Sequence, residues 1–96
     1  MIASFANKLA EDLFNDSRSS VTRRFPSELR RTAQRKLQYL NAAGKLQDLA
    51  IPPGNRLEAL KGDLKGLYSI RINDQWRVVF RWESSGPSDV KIVDYH

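Results

Sequence analysis

From Tyr68 onward the chain alternates between apolar and polar positions. Tyr68, Ile70, Ile72, Trp76, Val78, Phe80 and Trp82 occupy one parity, and Arg71, Arg77 and Arg81 occupy the other. A period of two marks half-buried strands, so the pattern predicts an antiparallel pair with an apolar face and a cationic face. Residues that face each other across such a pair share a side of the sheet. A two-residue Asn73-Asp74 loop would set Ile70 against Arg77 and mix the faces. A three-residue loop of Asn73, Asp74 and Gln75 instead pairs Ile72 with Trp76 and Arg71 with Arg77, and hairpin loops of this length are common. Like charges directly opposite are destabilising, so this pair calls for an anion, and a phosphate would serve. The last strand, Val90 to Tyr95, puts Val90 and Ile92 on the apolar parity and Lys91, Val93 and Tyr95 on the cationic one. A register with Ile92 beside Phe80 would place Tyr95 opposite Arg77, with Arg81 and Lys91 together further along.

Before residue 52 the period lengthens to that of a helix. Met1 to Phe5 fits a short first strand, and Asn7 to Phe14 a short helix with Leu9, Leu13 and Phe14 on one side. The polar run from Asp16 to Thr22 ends it. Phe25-Pro26-Ser27 suits the start of a longer helix, with Glu28 near its positive end. Leu29, Ala33, Leu37 and Leu40 then form one apolar stripe, Gly44 is a stop, and Leu46 to Ile51 continues briefly to the Pro52-Pro53-Gly54 break. The expectation is an α+β fold in one domain spanning residues 1–96, its N-terminal helices packed on a twisted antiparallel sheet. A chain of this length buries roughly 60 to 68 per cent of its unfolded surface, enough for one modest core.

Charge narrows the partners. The net charge is +5. Between positions 18 and 36, Arg18, Arg23, Arg24, Arg30, Arg31, Arg35 and Lys36 face only Glu28, a local +6 that leaves the rest of the chain at −1. Such a patch favours a polyanion: RNA, DNA or an acidic protein segment. There is no cysteine, no apolar run near 18 residues, and no signal-peptide pattern at the N-terminus, so a cytoplasmic protein without membrane contact is expected.

Several chemistries lack their residues. Gly62-Asp63-Leu64-Lys65-Gly66 has no Gly-Lys-Ser/Thr ending for a phosphate loop, and one histidine without cysteine gives no convincing metal site. No cofactor is expected. Serine–histidine catalysis would need His96 and a nucleophile turn that the sequence does not offer. What remains suits attack of a ribose 2′-hydroxyl on its neighbouring phosphate, which needs a base, cations for the phosphorane and an acid for the 5′-oxygen. Arg71 and Arg77 carry guanidinium donors matched to phosphate, and Asp94, Tyr95 and His96 supply proton-transfer groups. Arg56, Arg81, Arg35 and Lys36 complete the candidate RNA-binding cations. Trp76 and Trp82 fall on the apolar parity and are expected to be buried.

Three runs carry a resemblance: Gly54-Asn55-Arg56-Leu57-Glu58-Ala59-Leu60-Lys61-Gly62-Asp63, then Tyr68 to Phe80, then the closing Asp94-Tyr95-His96. In this order they resemble the HigB-type toxins of the RelE/ParE superfamily of bacterial toxin–antitoxin systems. The resemblance is close over about the last 43 residues and loose before them. It implies a compact microbial-ribonuclease-like fold and an mRNA interferase that cuts messages at the ribosomal A site, leaving a 2′,3′-cyclic phosphate and a 5′-hydroxyl. It further implies that Lys61 binds the scissile phosphate, Arg77 stabilises the transition state, Asp94, Tyr95 and His96 complete the site, and Tyr95 stacks on or orients the substrate. The implied partner is a helix-turn-helix antitoxin, with operator DNA reached only through it.

The departure is at Glu58, where some family members carry a histidine that acts as base. A glutamate is the weaker base of the two but is ionised at neutral pH; the alternative is a salt bridge from Glu58 to Arg56 or Lys61. Two other functions fit the same charge and fold: a ParE-like poison of DNA gyrase, and a module that binds antitoxin or RNA without chemistry.

Overall fold

The computed structural model describes residues 1–52 and 54–95. Its N-terminal half is helical. Asn7 turns the chain into α1 (Lys8–Phe14), its side chain accepting from the Ala10 N–H as an N-cap should. The polar run after α1, expected to be irregular, instead contains α2 (Ser20–Arg24), started by a capping box between Ser19 and Thr22. Beyond Pro26 a single 3-10 turn, Ser27–Leu29, leads into α3 (Arg30–Ala42), which ends two residues before the expected stop at Gly44. Ala33, Leu37 and Leu40 on α3 are fully buried, as their spacing predicts.

The sheet has four antiparallel strands in chain order: β1 (Glu58–Ala59), β2 (Leu67–Arg71), β3 (Trp76–Glu83) and β4 (Gly86–Asp94). Ile70, Ile72, Val78, Phe80, Val90 and Ile92 meet the apolar stripes of α1 and α3 in the core. Trp76 and Trp82 pack at the margin of this core and are half-buried rather than buried, Trp76 lying edge-on to Phe25 at 5.0 Å. Met1 to Phe5 does not form a full strand. The segment runs beside β4 with one parallel bridge, Phe5 to Val90, because Asn7 already turns the chain into α1.

The β2–β3 register is the one that face-matching requires, with Arg71 opposite Arg77. The β3–β4 register is not the one anticipated. Arg77 faces Val93, Val78 faces Ile92 and Val79 faces Lys91, a slip of two residues that keeps every side chain on its face and changes its neighbour. The hairpin pairing of Glu83 with Gly86 sets the register, and a one-residue bulge, in which Asp89 and Val90 together oppose Phe80 with Asp89 at φ 49°, shifts it by one so that the faces match again. Strand β4 therefore begins at Gly86, four residues earlier than the alternation suggests.

The cationic face is partly covered. Leu60, Leu67 and Val79 are buried on it as a small second cluster, with Val93 against it, and Ser69 is fully enclosed.

Candidate active site

The site forms on the cationic side of the sheet, where the edge strand β1 pairs with β2 and lies one strand away from β3. Glu58 pairs with Ser69 and so shares the face and the row of Val79 and Lys91; the next row holds Arg71, Arg77 and Val93. From one row away the Glu58 carboxylate accepts a hydrogen bond from Arg77 Nη1 at 3.0 Å. Tyr95 lies one step beyond Val93 on the same parity, its N–H donating to the Gln75 carbonyl at 2.6 Å. It is thus not opposite Arg77, yet its ring covers the guanidinium, 5.0 Å from ring centroid to Cζ. Arg77 Nε is enclosed and has no hydrogen-bond acceptor among the described residues.

The facing arginines are compensated from within the protein. Asp74, in the hairpin loop, takes a short hydrogen bond and ion pair from Arg71, while Glu58 answers Arg77. The Arg71 hydrogen bond holds the Asp74 carboxyl below its ordinary value, and the positive charges of Arg71, Arg56 and Arg77 add to the effect. Arg71 is thus the direct partner of Asp74, with Arg56 and Arg77 adding positive field from further away. The anion that the sequence left to a substrate phosphate is already supplied by two side chains, and a phosphate has to compete with them.

The other candidates are placed unequally. Lys61 is exposed two residues after β1, where it leads into the 3-10 turn Gly62–Leu64. Asp94 is exposed, faces Trp76 in register and accepts from Gln75 Nε2 at 2.9 Å. His96 lies outside the described residues. Arg81 stands apart: it is two rows from Arg77, about 13 Å along the strand, and is paired with Asp89 at 3.3 Å. Lys91 neighbours Val79, not Arg81. Arg35 is exposed on α3.

Lys36 is a correction. Expected among the RNA-binding cations, it is 5% exposed, with its ammonium donating to Asn55 Oδ1 at 2.6 Å. Burial pushes its pKa below the usual lysine range, assisted by Arg35 and Arg71. The signal was present, since Lys36 lies three residues after Ala33 and four before Leu40, on the buried stripe. Glu58 is also corrected: its salt bridge runs to Arg77, not to Arg56 or Lys61. Asn55, fully buried, and Asp74 were not singled out as site residues; their roles depend on contacts between distant or folded-back segments that alternation does not encode.

A short edge strand, a cationic sheet face with an arginine under an aromatic ring, and helices behind define a small α+β domain. A family model described as RelE-like toxin of type II toxin-antitoxin system HigB matches residues 3–96, and the chain belongs to this HigB-like toxin family. It is 44% identical over 82 residues to Toxin HigB-1 of Vibrio cholerae serotype O1, covering 85% of this chain and 84% of that protein. An uncharacterized protein of Haemophilus influenzae is 35% identical over 72 residues, covering 75% of this chain and 67% of that one. Among solved structures, the Staphylococcus aureus YoeB–YefM complex contains a chain of the same fold, with TM-score 0.61, 19% identity, and coverage of 100% of this chain and 98% of that one. The YoeB/ParE toxin of Agrobacterium tumefaciens gives 0.60 at 20% identity, covering 99% and 98%.

Proposed function

We propose that this type II toxin is a ribosome-dependent mRNA endonuclease that cleaves by 2′-hydroxyl attack. The observation that carries the proposal is the setting of Arg77, whose guanidinium is stacked under Tyr95, tied to a carboxylate and left with an Nε donor that finds no acceptor among the described residues. In the reaction the 2′-oxygen forms a bond to phosphorus and the bond to the 5′-oxygen breaks. A base takes the 2′-proton, and an acid returns one to the leaving oxygen. Arg77 and Lys61 neutralise charge on the phosphorane, with Arg56 and Arg71 holding flanking phosphates. Glu58, beside Arg77, is the candidate base; Asp94 and His96 are the candidate acid pair, and Tyr95 orients the nucleotide.

Antitoxin partnership also follows from the family: a helix-turn-helix antitoxin binds the toxin and alone contacts operator DNA. The solved YoeB of the same fold is found in a complex with YefM, which supports such a partner here. Arg18, Arg23, Arg24, Arg31 and Arg35 are exposed and offer a cationic surface to antitoxin or ribosomal RNA. The deciding experiment maps 5′ ends of a defined mRNA in reconstituted translation, with wild-type protein and Arg77→Ala, with and without ribosomes. Codon-defined cuts that need ribosomes and vanish in the variant are expected. Intact message throughout overturns the reading, and a gyrase supercoiling assay then tests the ParE-like alternative.

A further inference from the structure

Behind the cationic face, every polar group of Asn55 is in use. Its Oδ1 accepts from Lys36 Nζ at 2.6 Å, its Nδ2 donates to the Leu49 carbonyl at 3.0 Å, and its backbone carbonyl accepts from the Arg71 N–H at 2.6 Å. One residue thus joins α3, the loop after it and the end of β2. The next residue, Arg56, has φ 48°. A long side chain rarely adopts this region unless its surroundings impose it, and the fixed residue immediately before Arg56 is the fully buried Asn55.

Lys36 is the unusual half of the pair. Its ammonium is given to a neutral amide and lies 5.9 Å from the centroid of the Tyr39 ring. Arg35 and Arg71 both act on it with like charge. A methionine would fill the same space without desolvating a charge, and buried charges are commonly no better for stability than an apolar replacement. What the ammonium does supply is a fixed direction for Asn55. The three residues that follow Arg56 bring the chain to Ala59, and Lys61 lies two further on, so any rotation at Asn55 is carried directly into β1.

We propose that Lys36 and Asn55 are positioning residues that lock the 54–61 segment against α3 and β2, and thereby set Arg56, Glu58 and Lys61 relative to Arg71 and Arg77. The proposal rests on the reading of those five residues as the active site. Its test is Lys36→Met, with Lys36→Gln as a second variant should the first fail to fold cooperatively. Hydrogen exchange is followed at the Arg71 amide, which bonds Asn55, and at the Leu60 amide, which bonds the Leu67 carbonyl. Affinity for a 2′-O-methyl oligonucleotide and ribosome-dependent cleavage are measured in parallel. Faster exchange at Arg71 and Leu60, with α1 and β4 amides unchanged, is expected, together with a kcat loss on the order of 10- to 100-fold that exceeds any change in KM. Wild-type exchange at both amides with unchanged kcat, whatever happens to Tm, would reduce the pair to a structural role and overturn the proposal. Absence of cleavage by wild-type protein would instead strike the endonuclease reading, while the exchange and oligonucleotide arms still decide the positioning role.

Discussion

At Arg77 three kinds of contact converge: a carboxylate at 3.0 Å, an aromatic ring over the plane, and an enclosed Nε without an acceptor among the described residues. Truncating it removes charge and bidentate geometry together. Arg77→Ala is expected to lower single-turnover cleavage by about 10²- to 10³-fold while circular dichroism stays that of the folded protein. Glu58 permits a sharper test, because it is both candidate base and occupant of the arginine. Glu58→Gln should cost about 10²- to 10⁴-fold in kcat yet tighten binding of a 2′-O-methyl oligonucleotide, since the competing charge is gone. Undiminished cleavage would remove Glu58 from proton transfer and leave it as a competitor for the guanidinium alone. The ion pair itself holds little stability, about 0–1 kcal/mol, because more than half of the Glu58 side chain faces water.

Among the elements, α1 and β4 share apolar packing and one hydrogen-bonding side chain, Asn7. Asn7 caps α1 through Oδ1, and its Nδ2 donates to the Ile92 carbonyl at 2.9 Å. A lost cap alone costs about 1 kcal/mol, and loss of a second hydrogen bond adds about as much. Asn7→Ala is therefore expected to lower unfolding free energy by about 2 kcal/mol in urea titration, and a value near about 1 kcal/mol would show that the tie to β4 is energetically idle. The bulge at Asp89 is the second decisive element. It makes two residues face Phe80 and, together with the Glu83–Gly86 pairing at the hairpin, sets Val93 and not Tyr95 opposite Arg77, with the Tyr95 ring lying across the guanidinium. The alternation of β4 could show which face Tyr95 takes, but not which row.

For the whole molecule, two global dependences follow from its charge. The net charge of +5 and the exposed arginines of α2 and α3 make any RNA association strongly salt-dependent. A plot of log affinity against log salt should be linear, and replacing Arg31 and Arg35 with alanine should shallow its slope by about 0.7 for each single-strand phosphate that is no longer neutralised. An unchanged slope would take that surface out of RNA binding and leave it for the antitoxin. Stability should also rise with pH on the alkaline side. Lys36 gives up its proton in the folded state below the ordinary value of 10.5, so between the two values the unfolded chain binds more protons and folding gains as pH increases. Lys36→Met is expected to flatten that limb of the stability curve, measured by urea titration at successive pH values.

The sequence by itself determined whatever depends on local period. Alternation separated Ile70, Val78 and Phe80 from Arg71 and Arg77, and face-matching then required the Asn73-Asp74-Gln75 loop and the Arg71–Arg77 pair. The stripe of Ala33, Leu37 and Leu40 likewise located the buried side of α3. The tertiary structure decided what depends on long-range approach. It brought Glu58 from a strand of two residues to Arg77, buried Lys36 on Asn55 nineteen positions away, and set β4 two residues from the register that alternation suggested, through the hairpin pairing and one bulge together. Periodicity assigns a side chain to a face because the backbone repeat fixes its direction; which charges meet on that face depends on loop closure and strand register, and both are settled only when the whole chain packs.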